Sequence, residues 1–308
     1  MQVRAILSAA VLYLFANCWC GAAEAQVVPG SGKRLDNVGD DFEDVNWKFN
    51  HNWPKSSKNI DERTRGPSGK SANGRWYEGL KRGQPDYIVR VPTPEGGLPG
   101  SEGALLLRSL MTGIPNRTTN RSQQDDLICN VMYRLGGRIH VSRTPSAVTR
   151  VYLPPFEKWE KRSGPTFAFR LALDPTRPRP KSNPREPDTY WPGMIIDFRS
   201  SADGKTEADT AYFRIRGNRY GRDYSGPQIT QTGWWTMGMS VTPDGQVHYY
   251  VRPGVEDLRP EDHVASHFPY GLQARYFRTF FFNVLTKDDG KTWSTEWIVD
   301  DSEVYSLK

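Results

Sequence analysis

Apolar and polar side chains alternate most clearly from Gly233 to Arg252, GWWTMGMSVTPDGQVHYYVR. Period-two alternation marks strands with one face in a core. The interruption at Thr242-Pro243-Asp244-Gly245 is turn chemistry. Pro presets φ, Asp bonds its own backbone, and Gly takes the left-handed position. A loop of this kind ends in a bulge at the Gly and sets the register of a hairpin. Val241 then opposes Val247, Met239 opposes Tyr249, and Met237 opposes Val251. On the other parity Ser240 opposes His248, Gly238 opposes Tyr250, and Thr236 opposes Arg252. One face is apolar. The other carries Trp234, His248, Tyr250 and Arg252, with Gly238 leaving room beside a ring. A sugar could stack there; an ordinary solvated sheet face is the plainer reading.

The same pattern predicts strands at Tyr87–Val91, Ala104–Leu110, Arg138–Val141, Val148–Leu153, Thr166–Leu173, Met194–Phe198, Ala211–Arg216, Arg278–Leu285 and Glu296–Tyr305. In TFAFRLAL, Phe167, Phe169, Leu171 and Leu173 point one way and Arg170 the other. Phe156–Arg162 reads as a helical turn. The stretches 55–74, 116–124 and 253–271 read as irregular. Asp174–Pro187, rich in Pro and basic residues, reads as a long loop, a flap over the concave side. No helix longer than two turns is expected. Many short strands with Gly and Pro punctuation predict an all-β, two-sheet antiparallel sandwich with long loops.

The chain has 308 residues. Arg4, the apolar run Ile6–Ala16 and Ala23-Glu24-Ala25 form a secretory signal peptide, cut before Gln26. A lipoprotein reading through Cys18 or Cys20 ranks lower, because Phe15-Ala16-Asn17 is a poor acylation box. The expected organisation is a signal over 1–25, a flexible segment over 26–39, and one β domain over 40–308. No later stretch is long and apolar enough to span a bilayer as a helix. Cys129 is the single cysteine of the mature chain, so a large core must replace disulfides.

Net charge is +6, with 28 Arg against 13 Lys. Arg is the better fork for carboxylate and sulfate. A basic secreted protein meets acidic polysaccharide, nucleic acid or anionic membrane, although Arg-rich codon usage gives the same balance. The expected partner is a polysaccharide or other glycan, acidic chains included, and not nucleic acid.

Several segments together resemble the concanavalin A-like lectin and glucanase superfamily, with a distant likeness to family 16 β-glucanases. Asp41-Phe42-Glu43 looks like the opening strand of such domains. Trp191-Pro192-Gly193 is similar to their Trp-Pro segment, and Trp235–Val251 to their hairpin with a W-T-P-D-G turn. Phe281-Phe282-Asn283-Val284 and Val299-Asp300-Asp301-Ser302-Glu303-Val304-Tyr305 resemble their last two strands. The resemblance implies a jelly roll whose concave face binds carbohydrate.

It also implies where chemistry would lie. The glucanases carry two catalytic Glu flanking an Asp on one strand, and retaining hydrolysis needs two carboxyls about 5–5.5 Å apart. Here Glu207 and Asp209 occupy the first positions, but Ala211 or Tyr212 stands where the acid/base belongs. That departure removes half of the mechanism. A lyase is the other enzymatic option: elimination from a uronate needs a neutralised carboxylate and proton-transfer groups. His248, Tyr250 and Arg252 lie at i, i+2, i+4 on one strand face, and Arg170, Arg199, Arg214 or Arg216 could neutralise charge. Trp191, Trp234, Tyr250, Arg252, Arg108, Arg170, Arg214 and Arg216 are the candidate ligand-binding residues. Asp40, Asp41, Asp300 and Asp301 lie on neighbouring segments of the resembled fold, making Asp41, Asp300 and Asp301 candidate ligands of a structural calcium. No other cofactor is expected. Thr286–Trp293 matches a single Asp-box, in which Asp288 ties the turn and Trp293 packs beneath it. His263 and His267 read as a loop pair, not a zinc site. The leading reading is a secreted, non-catalytic glycan-binding domain. A polysaccharide hydrolase or lyase on the same face is the alternative, and a structural envelope protein is a third.

Overall fold

The computed structural model describes residues 27–57, 66–114, 117–177 and 188–308. The signal segment 1–25 and most of the 174–187 loop lie outside these residues. In chain order the first nine strands are β1 (Lys33–Arg34), β2 (Phe49–Asn50), β3 (Lys70–Ser71), β4 (Trp76–Glu78), β5 (Tyr87–Pro92), β6 (Gly103–Arg108), β7 (Ser122–Cys129), β8 (Ile139–His140) and β9 (Ser146–Leu153). Then follow β10 (Gly164–Pro175), β11 (Gly193–Arg199), β12 (Thr210–Arg216), β13 (Tyr224–Ile229), β14 (Gly233–Val241), β15 (Val247–Pro253), β16 (His263–His267), β17 (Ala274–Lys287) and β18 (Trp297–Ser306). Helix is confined to single turns, among them Val131–Arg134 and Phe156–Lys158. None of the described helices is long and apolar enough to cross a membrane.

The strands form two antiparallel sheets. The first runs β16-β15-β14-β9-β18-β6-β5, with β1 also on β18. The second runs β13-β12-β11-β10-β17-β7-β4-β3-β2, with β8 also on β17. They stack as a jelly-roll sandwich through aromatic contacts that cross between sheets. Phe167 of β10 lies 5.2 Å from Trp297 of β18, and Phe213 of β12 lies 5.1 Å from Trp235 of β14. Sandwich cores are built from such interdigitating inner faces.

The expected hairpin register holds at every pair: Val241 with Val247, Met239 with Tyr249, Met237 with Val251, Ser240 with His248, Gly238 with Tyr250 and Thr236 with Arg252. The turn closes as its residues dictate, Gly245 N–H donating to the Thr242 carbonyl at 2.8 Å. Met237, Met239, Val241, Val247, Tyr249 and Val251 all enter the main core. In β10 the outward parity is Ala168, Arg170, Ala172 and Asp174, as the alternation requires.

Seven of the described strands were not legible: the two- and three-residue β1, β2, β3 and β4, and the longer β7, β13 and β16. β7, SQQDDLIC, points Asp125 inward where an apolar residue is expected. Buried Lys55 reaches it at 2.7 Å and Asp86 at 3.1 Å, and Ser109 donates to it at 2.7 Å. An ion pair thus fills a core position and breaks the pattern. β13 and β16 are the outermost strands of their sheets. Residues 27–39, expected to be flexible, are laid against the first sheet: Lys33 pairs with Ser306 and Gly30 N–H donates to Ser146 Oγ.

Candidate functional site

The polar face of the hairpin is not an open groove. Ser240 Oγ donates to the Val27 carbonyl at 2.6 Å. Gly238 does leave room, but for Pro29 and Leu258: a Cβ there would sit 2.7 Å from Pro29 Cβ and 2.4 Å from Leu258 Cδ1. Tyr250 is fully buried in a small cluster with Val148, Leu258, Val28 and Tyr305. Trp234 is buried too, its indole N–H directed at the Pro94 carbonyl. His248 is buried between Thr242 Oγ1, 2.9 Å from Nε2, and Ser266 Oγ, 2.6 Å from Nδ1. Burial pushes its pKa down to about 4. Arg252 donates to the Asp257 carbonyl, which ties down the 255–258 loop. Three pieces of chain therefore cover the face proposed for a sugar, and the ring-bearing parity becomes a second, minor core.

The outer face of the second sheet brings different residues together. Register places Arg170 opposite Gly193, and Gly193 opposite Arg216. The next row is Arg214, Ile195, Ala168, Asn283 and Asp126, each paired with the one before. Gly193 is required here: a Cβ would lie 2.4 Å from Arg170 Cγ. Arg170 is 6% exposed. Its Nη1 donates to Asn283 Oδ1 at 3.3 Å, its Nη2 donates to the Trp191 carbonyl at 3.2 Å, and its guanidinium lies 5.2 Å from the Phe281 ring. Its Nε has no partner. Among the described residues no carboxylate lies within ion-pair distance of Arg170 or Arg216. Burial first, and then the like charge of Arg216, push the Arg170 pKa down to about 10, so it stays charged at neutral pH.

Asn283 passes the contact onward, its Nδ2 donating to Asp126 Oδ1 at 2.6 Å, and Gln124 Nε2 donates to the same oxygen at 2.8 Å. Burial pushes the Asp126 carboxyl up against the pull of Arg170. On the far side Arg216 Nε donates to the Tyr270 hydroxyl at 3.0 Å. Tyr270 sits at φ 60°, a conformation that a non-glycine residue adopts at a cost. Gly217 makes room for its ring, which would lie 2.5 Å from a Cβ there. Lys81, on the turn after β4, lies 4.5 Å over the Trp191 ring.

Of the expected site residues, Arg170, Arg214, Arg216 and Trp191 share this region, while Arg108, Trp234, His248, Tyr250 and Arg252 belong to the first sheet. Arg214 is paired with Asp197 at 2.7 Å, and Arg108 with Glu296 at 2.8 Å. Glu207 is exposed on the loop before β12. Asp209 is committed to that loop, accepting from Ser201 N–H and Oγ and from Lys161 at 2.6 Å. In the Asp-box the roles shift by one: Asp289, not Asp288, accepts from Thr292 N–H and Lys291 N–H, and Trp293 stacks on Tyr87 and Arg108.

The acids expected to hold calcium are engaged within the protein. Asp300 Oδ1 accepts from Asp301 N–H and its Oδ2 from Ser101 Oγ. Asp41 lines a cavity of about 290 Å³ together with Asp36, Asp40, Asp44 and Glu303, and with Arg34 and Arg75. No group of three His, Cys, Asp or Glu among the described residues is placed to hold a metal. His263 and His267 lie on edge strand β16, not in a loop.

Asp126, Asn283, Gln124, Tyr270 and Lys81 were not anticipated. Asn283 carried a signal, being the polar residue within FFFNV.

No family model and no curated protein matches the chain. Among solved structures it is similar to a carbohydrate esterase of the Shiga toxin-encoding bacteriophage phi24B, at 10% identity over 76% of this chain and 91% of that one, with a TM-score of 0.45. It is also similar to an alginate lyase from Pseudomonas aeruginosa, at 10% identity over 72% and 87% of the two chains, TM-score 0.42. The exoplasmic domain of VIP36 with bound Ca²⁺ and Man3GlcNAc aligns at 11% identity over 76% and 85%, TM-score 0.38.

Proposed function

We propose that this is a secreted binder of acidic polysaccharide on a concanavalin A-like sandwich, the mature chain beginning at Gln26 and its domain taking in the 27–39 segment laid on the first sheet as well as 40–308. The anionic group of a uronate or sulfated sugar sits against Arg170 and Arg216. The observation that carries this is Arg170, a buried cation with no carboxylate in ion-pair contact among the described residues and an unpartnered Nε, with Arg216 on the same row across Gly193. A buried charge is costly unless paired. An incoming carboxylate at the exposed edge of the Arg170–Arg216 row supplies the missing negative charge. Trp191 lies beside Arg170 with Lys81 over its ring, which adds a further cation to the seat.

The test is retention of the purified protein on immobilised polyuronate and on a neutral β-glucan. Wild type should be held by the acidic polymer and released by salt. Arg170→Gln should lose that retention while its melting temperature stays close to wild type. Equal retention on both polymers, or full retention by Arg170→Gln, would end the proposal.

One observation favours cleavage as a second reading. The strained Tyr270 presents its hydroxyl to Arg216 beside the same anion seat. β-Elimination needs a neutralised carboxylate next to a proton-transfer group, and a tyrosine held by a cation suits that work. Unsaturated uronate, read by its ultraviolet absorbance, would appear with wild type and vanish in Tyr270→Phe. No such product at any enzyme concentration leaves binding alone.

A further inference from the structure

Resting on that reading, we infer that the same sheet face carries a second anion seat, built from Arg138, Arg275 and Tyr276, and that the ligand is therefore a polyanionic chain spanning both seats. Strand β8 joins the sheet at the far end of β17, pairing His140 with Tyr276 and so bringing Arg138 alongside. The Arg138 guanidinium lies 4.2 Å from the Tyr276 ring and that of Arg275 5.3 Å from it. Arg278 completes the cluster. One carboxylate, Asp174, answers these three cations, bonding Arg138 at 2.8 Å and Arg278 at 3.3 Å. Arg275 is exposed, and among the described residues no carboxylate lies within ion-pair distance of it.

The two seats share one strand. Arg170 and Asp174 both point outward from β10, four residues apart, which is roughly 13 Å along a strand. Between them the row is Trp191, Ala172 and Thr279. Cations spaced along this face, with Lys81 over the Trp191 ring between the two clusters, suit a chain with repeated anionic groups. A single charged sugar would use only one end. Nucleic acid carries repeated charge as well, but the rings of this face, Trp191, Phe281 and Tyr276, already lie against Lys81, Arg170 and Arg138, which leaves no run of open stacking rings.

The experiment titrates an oligouronate dimer and a hexamer against the full-length secreted protein by calorimetry. Arg138→Ala/Arg275→Ala should weaken the hexamer about tenfold, and Arg275→Ala alone about threefold, with the dimer unchanged. Arg170→Gln should weaken both lengths. The hexamer should also show the steeper dependence on salt. If the double variant binds hexamer like wild type while Arg170→Gln fails, the second seat is wrong and the first stands. If Arg170→Gln binds both lengths normally, the first seat is wrong, and the second falls with it. Tighter binding of a single-stranded oligonucleotide of matched charge would overturn a glycan as the occupant.

Discussion

Replacing Tyr250 separates a residue of the minor core from a residue of a groove. Its ring is enclosed by Val148, Leu258, Val28 and Tyr305 and has no exposed surface. A buried aromatic side chain removes about 150–250 Å² from water, worth roughly 4–6 kcal/mol at about 25 cal/mol per Å². Truncations of this size cost about 3–5 kcal/mol once the site relaxes. Tyr250→Ala should therefore destabilise by about 3–5 kcal/mol. The hydroxyl tells more. It is buried without a partner, so the folded state carries its desolvation with nothing in return. Tyr250→Phe should stabilise by about 1 kcal/mol, which for a domain of this size raises the melting temperature by about 2 °C. Calorimetric melts of both variants, together with polyuronate retention, give the answer. Retention should be unchanged in Tyr250→Phe. If Tyr250→Phe melts several degrees lower, the hydroxyl has a partner and the enclosure is drawn wrongly. If Tyr250→Ala melts normally but loses retention, the ring lies in an open groove and residues 27–29 do not cover it.

Met239→Ala, on the inner parity of the same hairpin, should cost about 2–5 kcal/mol in a denaturant titration; a silent substitution would mean the register is one residue off. Gly193→Ala should cut polyuronate retention and also lower the melting temperature, because the new Cβ meets the Phe169 carbonyl at 2.7 Å as well as Arg170 Cγ at 2.4 Å; unchanged retention would detach Arg170 from binding. His248 titrates at about 4 in the fold against 6.5 as its ordinary value. The unfolded chain therefore binds the extra proton between those values, and stability falls as pH drops from about 6.5 to about 4, by on the order of 3 kcal/mol. His263 and His267 are also pushed down by burial and act with the same sign. His248→Gln should flatten the dependence of melting temperature between pH 7 and pH 4.5, and an unaltered slope would refute the assignment. Glu207→Gln should change neither melting nor retention, since its side chain is exposed on a loop; loss of reducing-end release in that variant would revive hydrolysis.

The hairpin was legible because local chemistry sets it. The turn residues fix the loop, the loop fixes the register, and alternation fixes which parity meets the core. What alternation cannot report is whether the other parity meets water or more protein. Gly238 looked like space for a sugar and is space for Pro29, which lies more than two hundred positions away in the chain. The second sheet gave a partial signal: the lone Arg170 within TFAFRLAL marked its outward face. Its partners stayed hidden because Asn283, Asp126 and Arg216 come from three other strands and meet only through sheet order. β7 was obscured further by Asp125, whose inward charge is answered by Lys55 from another segment.

The two outer faces differ in how their polar groups are satisfied, and that difference decides which can hold a ligand. On the first sheet the chain supplies nearly every partner itself. Ser240 takes Val27, His248 takes Thr242 and Ser266, and Arg150 takes Asp257 at 3.0 Å and the Val255 carbonyl. A ligand there would have to displace protein. On the second sheet Arg170 is held in place by neutral carbonyl groups of Asn283 and Trp191, while the carboxylate of Asp126 is kept one residue away by Asn283. Direct pairing with Asp126 would satisfy Arg170 and leave nothing to bind. The intervening amide fixes the guanidinium without neutralising it, and Arg216 adds like charge instead of relief. For stability alone an apolar side chain would serve better at a position this buried. The arrangement stores an unmet demand for negative charge on a surface otherwise well paired, and an acidic glycan meets that demand.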